Sequence, residues 1–185
     1  MSDKILKYSS YDISDRIISV AEELHQHLSY FDNVEKCLKS KKTLYVCVLN
    51  GAAYFFADIT RMLPCGECIY MRASSYGDSQ KSGEIHMSTP EIKNGESFEE
   101  VVIFDDICDS GKTLETVKRL FVAITPNANI RTAVLIDRLL TSGKKVHTPD
   151  FAAISTDSNI FFAGYGMDNK GMDRNCPYIY DCTEV

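Results

Sequence analysis

Apolar residues recur along the chain with two spacings, and each spacing predicts a different kind of secondary structure. Between residues 13 and 28 they return every three or four positions, at Ile13, Ile17, Ala21, Leu24 and Leu28. This spacing predicts an amphipathic helix that packs on a core. Continuous apolar runs with β-branched and aromatic residues predict strands buried on both faces. These runs lie at 43–49, 67–73, 101–104, 130–136 and 151–154, with shorter strand candidates at 161–163 and 178–180.

Two further helices are predicted between the strands, at 52–63, where Pro64 ends the helix, and at about 113–123. Strands that alternate with helices favour right-handed βαβ units, and hence an α/β fold with a central, mostly parallel sheet flanked by helices. In such sheets the functional loops gather at the carboxyl ends of the strands. The candidate loops are therefore Asn50-Gly51, the loop that begins at Asp105, the turn after Ile136 and the tail beyond Ala163.

A polar stretch follows the second predicted strand. Residues 74–83 include four serines and two glycines, a composition typical of a mobile surface loop. No internal repeat or low-complexity linker divides the sequence. We therefore expect residues 1–185 to form a single domain.

Charge and cysteine content narrow the class of protein. The 185 residues carry a net charge of -6 with a pI near 5.2, so the chain lacks the broad positive field that binding along a nucleic acid requires. No apolar run approaches the ~20 residues that span a bilayer, which predicts no membrane contact. The seven cysteines, an odd number, are scattered through apolar stretches. They are typical of reduced thiols in a cytoplasmic protein.

Cys65 and Cys68 form a C-x-x-C pair, a spacing found in redox pairs and in zinc sites. No second pair lies at a suitable spacing, and no histidine is close in sequence. A turn between a helix and a strand is therefore the favoured interpretation, with a redox or metal site as the alternative.

Residues 101–113, with the sequence VVIFDDICDSGKT, carry the most chemical information. The apolar strand ends in Asp105 and Asp106, and Asp109 precedes a Ser-Gly-Lys-Thr sequence at 110–113 that opens a helix. Backbone amides at that helix start, with the serine and threonine hydroxyls, can bind a phosphate. The adjacent carboxylates would repel a phosphate, so ribose hydroxyls or a magnesium ion are their natural partners.

Two other interpretations of residues 101–113 fit less well. A P-loop needs a glycine five residues before Gly111, and Asp106 stands at that position. A plain acidic turn that caps a helix does not require three carboxylates beside Ser-Gly-Lys-Thr. The segment is therefore better interpreted as a binding site for a phosphorylated sugar.

The same residues resemble the phosphoribosyl pyrophosphate signature of the type I phosphoribosyltransferases, and within that family the hypoxanthine-guanine branch. Four more blocks stand in the family's order: LNGA at 49–52 with FFAD at 55–58, Arg72 with Ser75-Tyr76, VLIDR at 134–138, and FFAGYGMD at 161–168 with RNCPYI at 174–179. The similarity covers roughly residues 43–180. It implies that family's fold, with a flexible active-site loop at about 74–86 and a small hood formed by the N-terminus and about 155–185.

The resemblance implies a purine salvage enzyme. Members of this family transfer the 5-phosphoribosyl group from phosphoribosyl pyrophosphate to hypoxanthine or guanine, which gives IMP or GMP and pyrophosphate. The transition state resembles an oxocarbenium ion, so the enzyme must stabilise the leaving pyrophosphate and accept a proton from the attacking base. The family also implies Mg2+ as a cofactor and a homodimer or homotetramer, with neither nucleic acid nor membrane as a partner.

The resemblance also implies a role for each site residue. Asp109 is implied as the general base at purine N7, and Asp105 and Asp106 as ligands of the ribose hydroxyls that hold magnesium together with Asp168. The other implied substrate contacts are Asn50, Gly51 and Arg174 at the pyrophosphate, often with a cis non-proline peptide beside the glycine; Ser110, Gly111, Lys112 and Thr113 at the 5′-phosphate; Ser75 and Tyr76 over the site; and Arg138, Phe161, Phe162 and Asp168 at the base.

Three positions depart from the family pattern. Asp105 stands where the family commonly has Glu, and Asn50 where it often has a basic or small residue. Arg138 stands where the family usually has a Lys that binds the purine 6-oxo group. Arginine keeps the positive charge but differs in length and geometry. The preference among hypoxanthine, guanine and xanthine therefore stays open.

Three rival classes of protein fit the sequence less well. A non-catalytic regulator on the same fold would lack Asp109 or the mobile loop, and both are present. A pyrimidine or adenine phosphoribosyltransferase would lack the blocks at 137–138 and 161–168. An unrelated nucleotide-binding α/β domain would need the missing P-loop glycine. Because fold alone does not separate these classes, the prediction depends on the geometry of the site.

Overall fold

The computed structural model describes residues 4–28, 43–75, 85–88, 92, 98–139 and 145–183. In these residues the helices are α1 (Ser10–His27), α2 (Ala53–Thr60) and α3 (Lys112–Ile124). The strands are β1 (Ile5–Tyr8), β2 (Thr43–Leu49), β3 (Glu67–Ser75), β4 (Ile85–Met87), β5 (Glu100–Cys108), β6 (Asn129–Arg138), β7 (Phe151–Thr156), β8 (Phe162–Ala163) and β9 (Ile179–Asp181).

Five parallel strands form the centre of the fold in the order β3-β2-β5-β6-β7, and the short β4 adds antiparallel to β3. This arrangement confirms the predicted α/β fold with a mostly parallel sheet. The chain moves outward from β2 to β3 and then returns past β2 to β5, so the strand order reverses between β2 and β5. The carboxyl ends of these two strands form a switch point, the place where ligands bind in open α/β sheets.

Helices on both faces of the sheet explain why its strands are continuous apolar runs. Successive side chains of a strand point to opposite faces. Tyr45, Cys47 and Phe104 belong to the core that includes α1 and α2. Val46 and Ile103, each one residue away from these, belong to the core that includes α3. Where a strand is covered on both faces, successive positions are apolar, so the sequence pattern lacks the alternation of a half-exposed strand.

A second sheet joins two distant parts of the chain. Its three antiparallel strands have the order β1-β9-β8, with Ile5 opposite Asp181. The Lys4 ammonium donates a hydrogen bond to the Asp173 carboxylate at 3.0 Å, and the Tyr180 hydroxyl donates to the same carboxylate. This sheet corresponds to the predicted hood of N-terminal and C-terminal segments.

The end of β5 lies further along the chain than the hydrophobic pattern predicts. Pairing with β6 continues until Cys108 stands opposite Asp137. Asp105 and Asp106 therefore lie within the strand and not in the turn that follows it. Their acidic side chains end the apolar run, although the backbone ladder does not end there.

Other boundaries differ by a few residues. Helix α1 begins at Ser10 because Ser9 and Asp12 form a capping box, which lies ahead of the first apolar position. Helix α2 ends at Thr60 and not at residue 63. Phe161 lies outside β8. The hydrophobic pattern did not predict β1, whose residues are mostly exposed, or the three-residue β4.

Replacing Phe104 with Ala is expected to lower the free energy of unfolding by about 3–5 kcal/mol, because the change leaves a cavity among large side chains. Phe104 is fully buried, and its ring centroid lies 5.5 Å from that of Phe56 and 5.9 Å from that of Phe55. Urea unfolding followed by circular dichroism measures the change. Val122→Ala on the exposed face of α3 is the control, with an expected effect of about 0.5 kcal/mol or less. A loss below ~1 kcal/mol for Phe104→Ala would contradict this description of the core.

Candidate active site

A cavity of about 580 Å³ lies at the switch point between β2 and β5. The chain after β2, the carboxyl end of β5, the start of α3 and the C-terminal tail all contribute to its wall. The polar residues that line it are Asn50, Asp105, Asp106, Asp109, Ser110, Lys112, Thr113, Asp168 and Arg174. The topology therefore brings together residues that are more than 100 positions apart in the sequence.

Asp105 and Asp106 form the floor of this cavity. Burial raises the pKa of Asp105 well above its usual value, and the neighbouring charge of Asp106 raises it further. Burial also raises the pKa of Asp106, although a backbone N–H from Ile107 at 2.8 Å and the positive charge of Arg174 oppose the shift. Two desolvated carboxyls side by side disfavour a second negative charge. The floor is therefore suited to hydroxyl donors or a cation.

Residues 109–113 run from the end of β5 into the start of α3. Gly111, with φ 77°, precedes the helix and has no side chain with which to cap it. A Cβ atom at Gly111 would stand 2.2 Å from the carbonyl oxygen of His147, so only glycine fits here. The Lys112 amide lies 3.5 Å from Ser110 Oγ. An uncapped helix start with hydroxyls beside it can bind an anion.

The Asn50-Gly51 segment passes directly over the acidic floor. The peptide bond between Leu49 and Asn50 is cis. A Cβ atom at Gly51 would overlap the Asp106 carboxylate, at 1.6 Å from its Oδ2. A Cβ atom at Gly166 would in turn stand 2.0 Å from the Gly51 carbonyl oxygen. The floor, this segment and the tail therefore form three closely packed layers, in which the Asp106 side chain contacts the Gly51 backbone and that backbone contacts Gly166.

Arg174 fixes the tail over these layers. Its guanidinium donates to the Gly166 carbonyl oxygen at 2.6 Å and to the Asp168 carboxylate at 2.6 Å. The second oxygen of that carboxylate accepts the Gly171 amide at 2.7 Å. Asp168 and Arg174 therefore form an ion pair within the cavity wall. Their side chains stay 37% and 34% exposed, so both remain accessible to a ligand.

Arg138 and Asp109 connect the cavity to a neighbouring aromatic region. Arg138 Nε lies 2.9 Å from Asp109 Oδ1, an ion-pair distance, but its N–H direction does not meet hydrogen-bond geometry with any described acceptor. A terminal nitrogen of the guanidinium donates to the Ile160 carbonyl at 3.0 Å, and the group lies over the Phe162 ring at 5.6 Å. Arg138 is mostly buried, whereas the Asp109 side chain is 55% exposed. Asp109 is thus the accessible member of the pair.

The structure places the predicted site residues in two adjacent groups. Asn50, Gly51, Asp105, Asp106, Asp109–Thr113, Asp168 and Arg174 line the cavity. Arg138 and Phe162 lie beside it, where the Phe161 ring is 58% exposed and the Phe162 ring is buried. Ser75 forms the end of β3, but Tyr76 and the rest of the predicted loop up to residue 84 lie outside the described residues.

Sequence reasoning missed several polar contacts around the site. The Tyr165 hydroxyl donates to the Asp58 carboxylate and so ties the tail to α2. The Lys145 ammonium donates to the Asp137 carboxylate and to the Arg138 carbonyl at 3.1 Å. Asp58 and Asp137 stand in blocks that match the family, but nothing in the local sequence indicates their partners. These contacts depend on tertiary structure alone.

The other candidate sites receive no support from the geometry. Within the described part of the chain, no three His, Cys, Asp or Glu side chains are grouped so that they could hold a metal by themselves. Cys65 and Cys68 are exposed. Cys65 lies in the turn between α2 and β3, whereas Cys68 is the second residue of β3. None of the described helices is long and apolar enough to cross a membrane.

Comparisons with known proteins agree with this geometry. The profile of the phosphoribosyl transferase domain matches residues 13–170. A protein of Crithidia fasciculata named hypoxanthine-guanine phosphoribosyltransferase is 38% identical over 138 residues, which are 71% of this chain and 64% of that protein. A protein of the same name from Streptococcus pneumoniae strain R6 is 30% identical over 170 residues, which are 89% of this chain and 87% of that protein.

A solved structure is similar to this chain in its fold as well. Hypoxanthine phosphoribosyltransferase from Trypanosoma cruzi, crystallised in a ternary complex with its substrates, has a TM-score of 0.75 at 25% identity and covers 97% of this chain and 94% of its own. The family profile alone spans most of the sequence. The chain is therefore an enzyme of the phosphoribosyl transferase family, on its hypoxanthine-guanine branch.

Proposed function

We propose that this enzyme transfers the 5-phosphoribosyl group of phosphoribosyl pyrophosphate to hypoxanthine or guanine, with Asp109 as the general base. The observation that carries the proposal is the 2.9 Å approach of Arg138 to Asp109. A 6-oxopurine has a carbonyl acceptor beside N7, which carries a proton in one tautomer. A cation and a carboxylate side by side complement these two groups. Adenine would instead set an amine donor against the donor-only arginine.

The proposed reaction has one nucleophile, one leaving group and one proton acceptor. Purine N9 forms a bond to the anomeric carbon, and the bond from that carbon to pyrophosphate breaks with its electron pair. The N7 proton passes to Asp109, whose exposed carboxylate can reach the edge of a bound base. Asp105 and Asp106 hold the ribose hydroxyls, and their charge stabilises the positive sugar of the transition state.

Residues 109–113 bind the 5′-phosphate in this proposal. The uncapped start of α3 supplies backbone amides and the positive end of the helix dipole. Ser110 and Thr113 add hydroxyl donors, and Lys112 adds a positive charge. The close packing of Gly111 against His147 keeps this segment in place.

Pyrophosphate and Mg2+ bind, in this proposal, on the side of the cavity formed by the C-terminal tail. Asn50 and Gly51 present backbone groups to the pyrophosphate, and Arg174 neutralises its charge. Mg2+ usually takes only one or two protein carboxylates, with substrate oxygens and water as its other ligands. Asp105, Asp106 and Asp168 line one cavity but are not grouped closely enough to hold an ion by themselves, so substrate oxygens would supply the other ligands. When bound, the ion neutralises negative charge on the leaving pyrophosphate.

The base and its cover complete the proposed site. The exposed ring of Phe161 can stack on a purine, and the backbone carbonyls of Phe162 and Asp168 read the far edge of the base. Ser75 and Tyr76 close over the site and exclude water. We further propose a cytoplasmic homodimer or homotetramer. The six cysteines within the described residues form no disulfide, in keeping with a reducing compartment.

A substrate panel tests the reaction and the general base together. Purified protein with phosphoribosyl pyrophosphate and Mg2+ receives hypoxanthine, guanine, xanthine, adenine or uracil, and chromatography follows nucleotide formation. Hypoxanthine and guanine are expected to react. Asp109→Asn is expected to lower kcat by about 10²-fold or more, because the amide cannot accept the proton. Asp15→Asn, at an exposed position on α1, is the control. No product from any base in folded protein would refute the proposed function.

Base recognition by Arg138 predicts a selective effect on the KM of the purine. Arg138→Met is expected to raise the KM for hypoxanthine by about 10-fold or more, because the carbonyl loses its donor. Arg138→Lys keeps the charge and should raise it less. Initial rates at saturating phosphoribosyl pyrophosphate measure these values. An unchanged KM for hypoxanthine in Arg138→Met would contradict the assignment.

Asp105 in the acidic floor is expected to lower the stability of the folded protein at neutral pH. Because burial raises the pKa of Asp105, the folded state holds its proton more tightly than the unfolded chain does, so the carboxyl lowers stability as pH rises above the ordinary Asp pKa of about 3.9. Asp105→Asn is therefore expected to raise Tm at pH 7.5 and to lose this advantage towards pH 4, while activity falls. Thermal unfolding across this pH range measures the effect. A lower Tm than wild type at pH 7.5 would contradict it.

A further inference from the structure

We propose that Lys145 is a positioning residue that sets the geometry of both substrate subsites through a short brace. The brace consists of Lys145, Val146 and His147, which lie between the end of β6 and the start of β7. It contacts the end of β6, residues 110–111 and helix α3. This inference rests on the proposed function, because it gives these contacts a role in binding the 5′-phosphate and the base.

Lys145 anchors the brace to the strand end that carries Arg138. Its ammonium donates to the Asp137 carboxylate and, at 3.1 Å, to the Arg138 carbonyl oxygen. The side chains of Lys145 and Asp137 are only 15% and 6% exposed. A buried ion pair is geometrically strict, because each charge depends on its partner for solvation. Lys145 therefore fixes the backbone from which the Arg138 side chain extends.

The next two residues hold the segment that binds the 5′-phosphate. The Val146 amide donates to the Ser110 carbonyl oxygen at 2.8 Å. The His147 carbonyl oxygen packs so closely on Gly111 that a Cβ atom there would stand 2.2 Å away. The Cys108 thiol also lies 3.6 Å from that carbonyl oxygen and can donate to it. The brace thus contacts residues 108, 110 and 111, which lead into helix α3.

The His147 ring ties the far end of the brace to the body of the protein. Nε2 lies 3.0 Å from the Thr132 hydroxyl on β6, and Nδ1 lies 3.4 Å from Glu115 on α3. Burial, with the positive charge of Lys118 nearby, lowers the pKa of His147. A neutral ring held by two neighbours in the fold is a rigid anchor. The brace is therefore fixed at both ends, by Lys145 at one and by His147 at the other.

The brace therefore connects the base subsite to the 5′-phosphate subsite. The β6 end presents Arg138 to the base, and residues 110–111 belong to the 5′-phosphate site. Three consecutive residues connect them, and Lys145 is the only one of the three whose side chain acts on the base side. Loss of its ammonium should relax both subsites at once, whereas a change to Arg138 alone should affect only the base.

Steady-state kinetics of Lys145→Met test this role. The KM values for phosphoribosyl pyrophosphate and for hypoxanthine are both expected to rise about 10-fold, because displaced groups make longer and weaker hydrogen bonds to the substrates. The kcat at saturation should stay within about 3-fold of wild type, since ground-state binding is what is lost. Lys145→Arg, which keeps the charge, should recover most of the effect.

Arg131→Met provides a matched control. Arg131 on β6 pairs with the buried Glu100 carboxylate on β5. The pair lies at the amino ends of these strands, whereas Asp137 lies at the carboxyl end of β6. The side chains of Arg131 and Glu100 are 24% and 6% exposed. This variant also leaves a buried carboxylate without its cation, so it should lose stability as Lys145→Met does. Its KM values should stay at the wild-type level, because the pair lies far from the site.

A double variant separates positioning from stability. Lys145→Met with Asp137→Asn removes the buried charge that Lys145→Met leaves behind, so Tm should recover towards wild type and the protein should fold even if the single variant does not. Raised KM values in this stable double variant support the proposal. KM values that return to wild type with Tm overturn it, and so do unchanged values in folded Lys145→Met. A wild type that forms no nucleotide overturns the proposed function itself, and this role with it.

Discussion

The placement of two adjacent carboxyls, one buried and one half-buried, at the end of a central strand is the constraint around which the whole site is arranged. Asp105 and Asp106 lie where β5 is still paired with β6, and desolvation raises the pKa of both. Such a pair lowers stability unless donors or cations surround it. Arg174 supplies one opposing charge from the tail. In the proposed reaction, the ribose hydroxyls and a divalent ion supply the rest of the compensation.

Close packing against two glycines is the second constraint on the site. Gly51 has no room for a side chain because the Asp106 carboxylate occupies that space, and Gly166 has none because of the Gly51 carbonyl oxygen. Three chain segments that are far apart in sequence therefore stack closely, with the Asp106 carboxylate against the Gly51 backbone and the Gly51 carbonyl oxygen against Gly166. The Tyr165 hydroxyl, which donates to Asp58 on α2, and the ion pair of Arg174 with Asp168 hold the top layer in register.

The parts of the fold that sequence predicted well are those with a strong physical signal. The strand at 43–49 is predicted to the residue, because both of its faces are buried and turn residues follow it directly. The predicted end of β5 is wrong, because acidic side chains end the apolar run at residue 104 while the backbone pairing continues to Cys108. Strand β1 has no signal, since its side chains are mostly exposed and its stability comes from pairing with β9.

The same distinction holds for the site. The 101–113 segment gathers its chemistry in consecutive residues, so its residues could be identified from the sequence, and the structure places them in one cavity. The approach of Arg138 to Asp109, and the contacts of Lys145 and His147, join residues from different strands, helices and turns. No local pattern specifies them, because each side chain in isolation is an ordinary polar residue.

The pairing of β1 with β9 also places a limit on folding during synthesis. Ile5 is among the first described residues to leave the ribosome, yet its partner Asp181 is among the last. The five parallel strands can assemble earlier, since each pairs with a neighbour that is complete by residue 156. The hood must wait until residue 181 has been synthesised, because long-range contacts form only when both segments are available. A nascent chain would therefore have a sheet and an acidic floor before it has a completed hood above them.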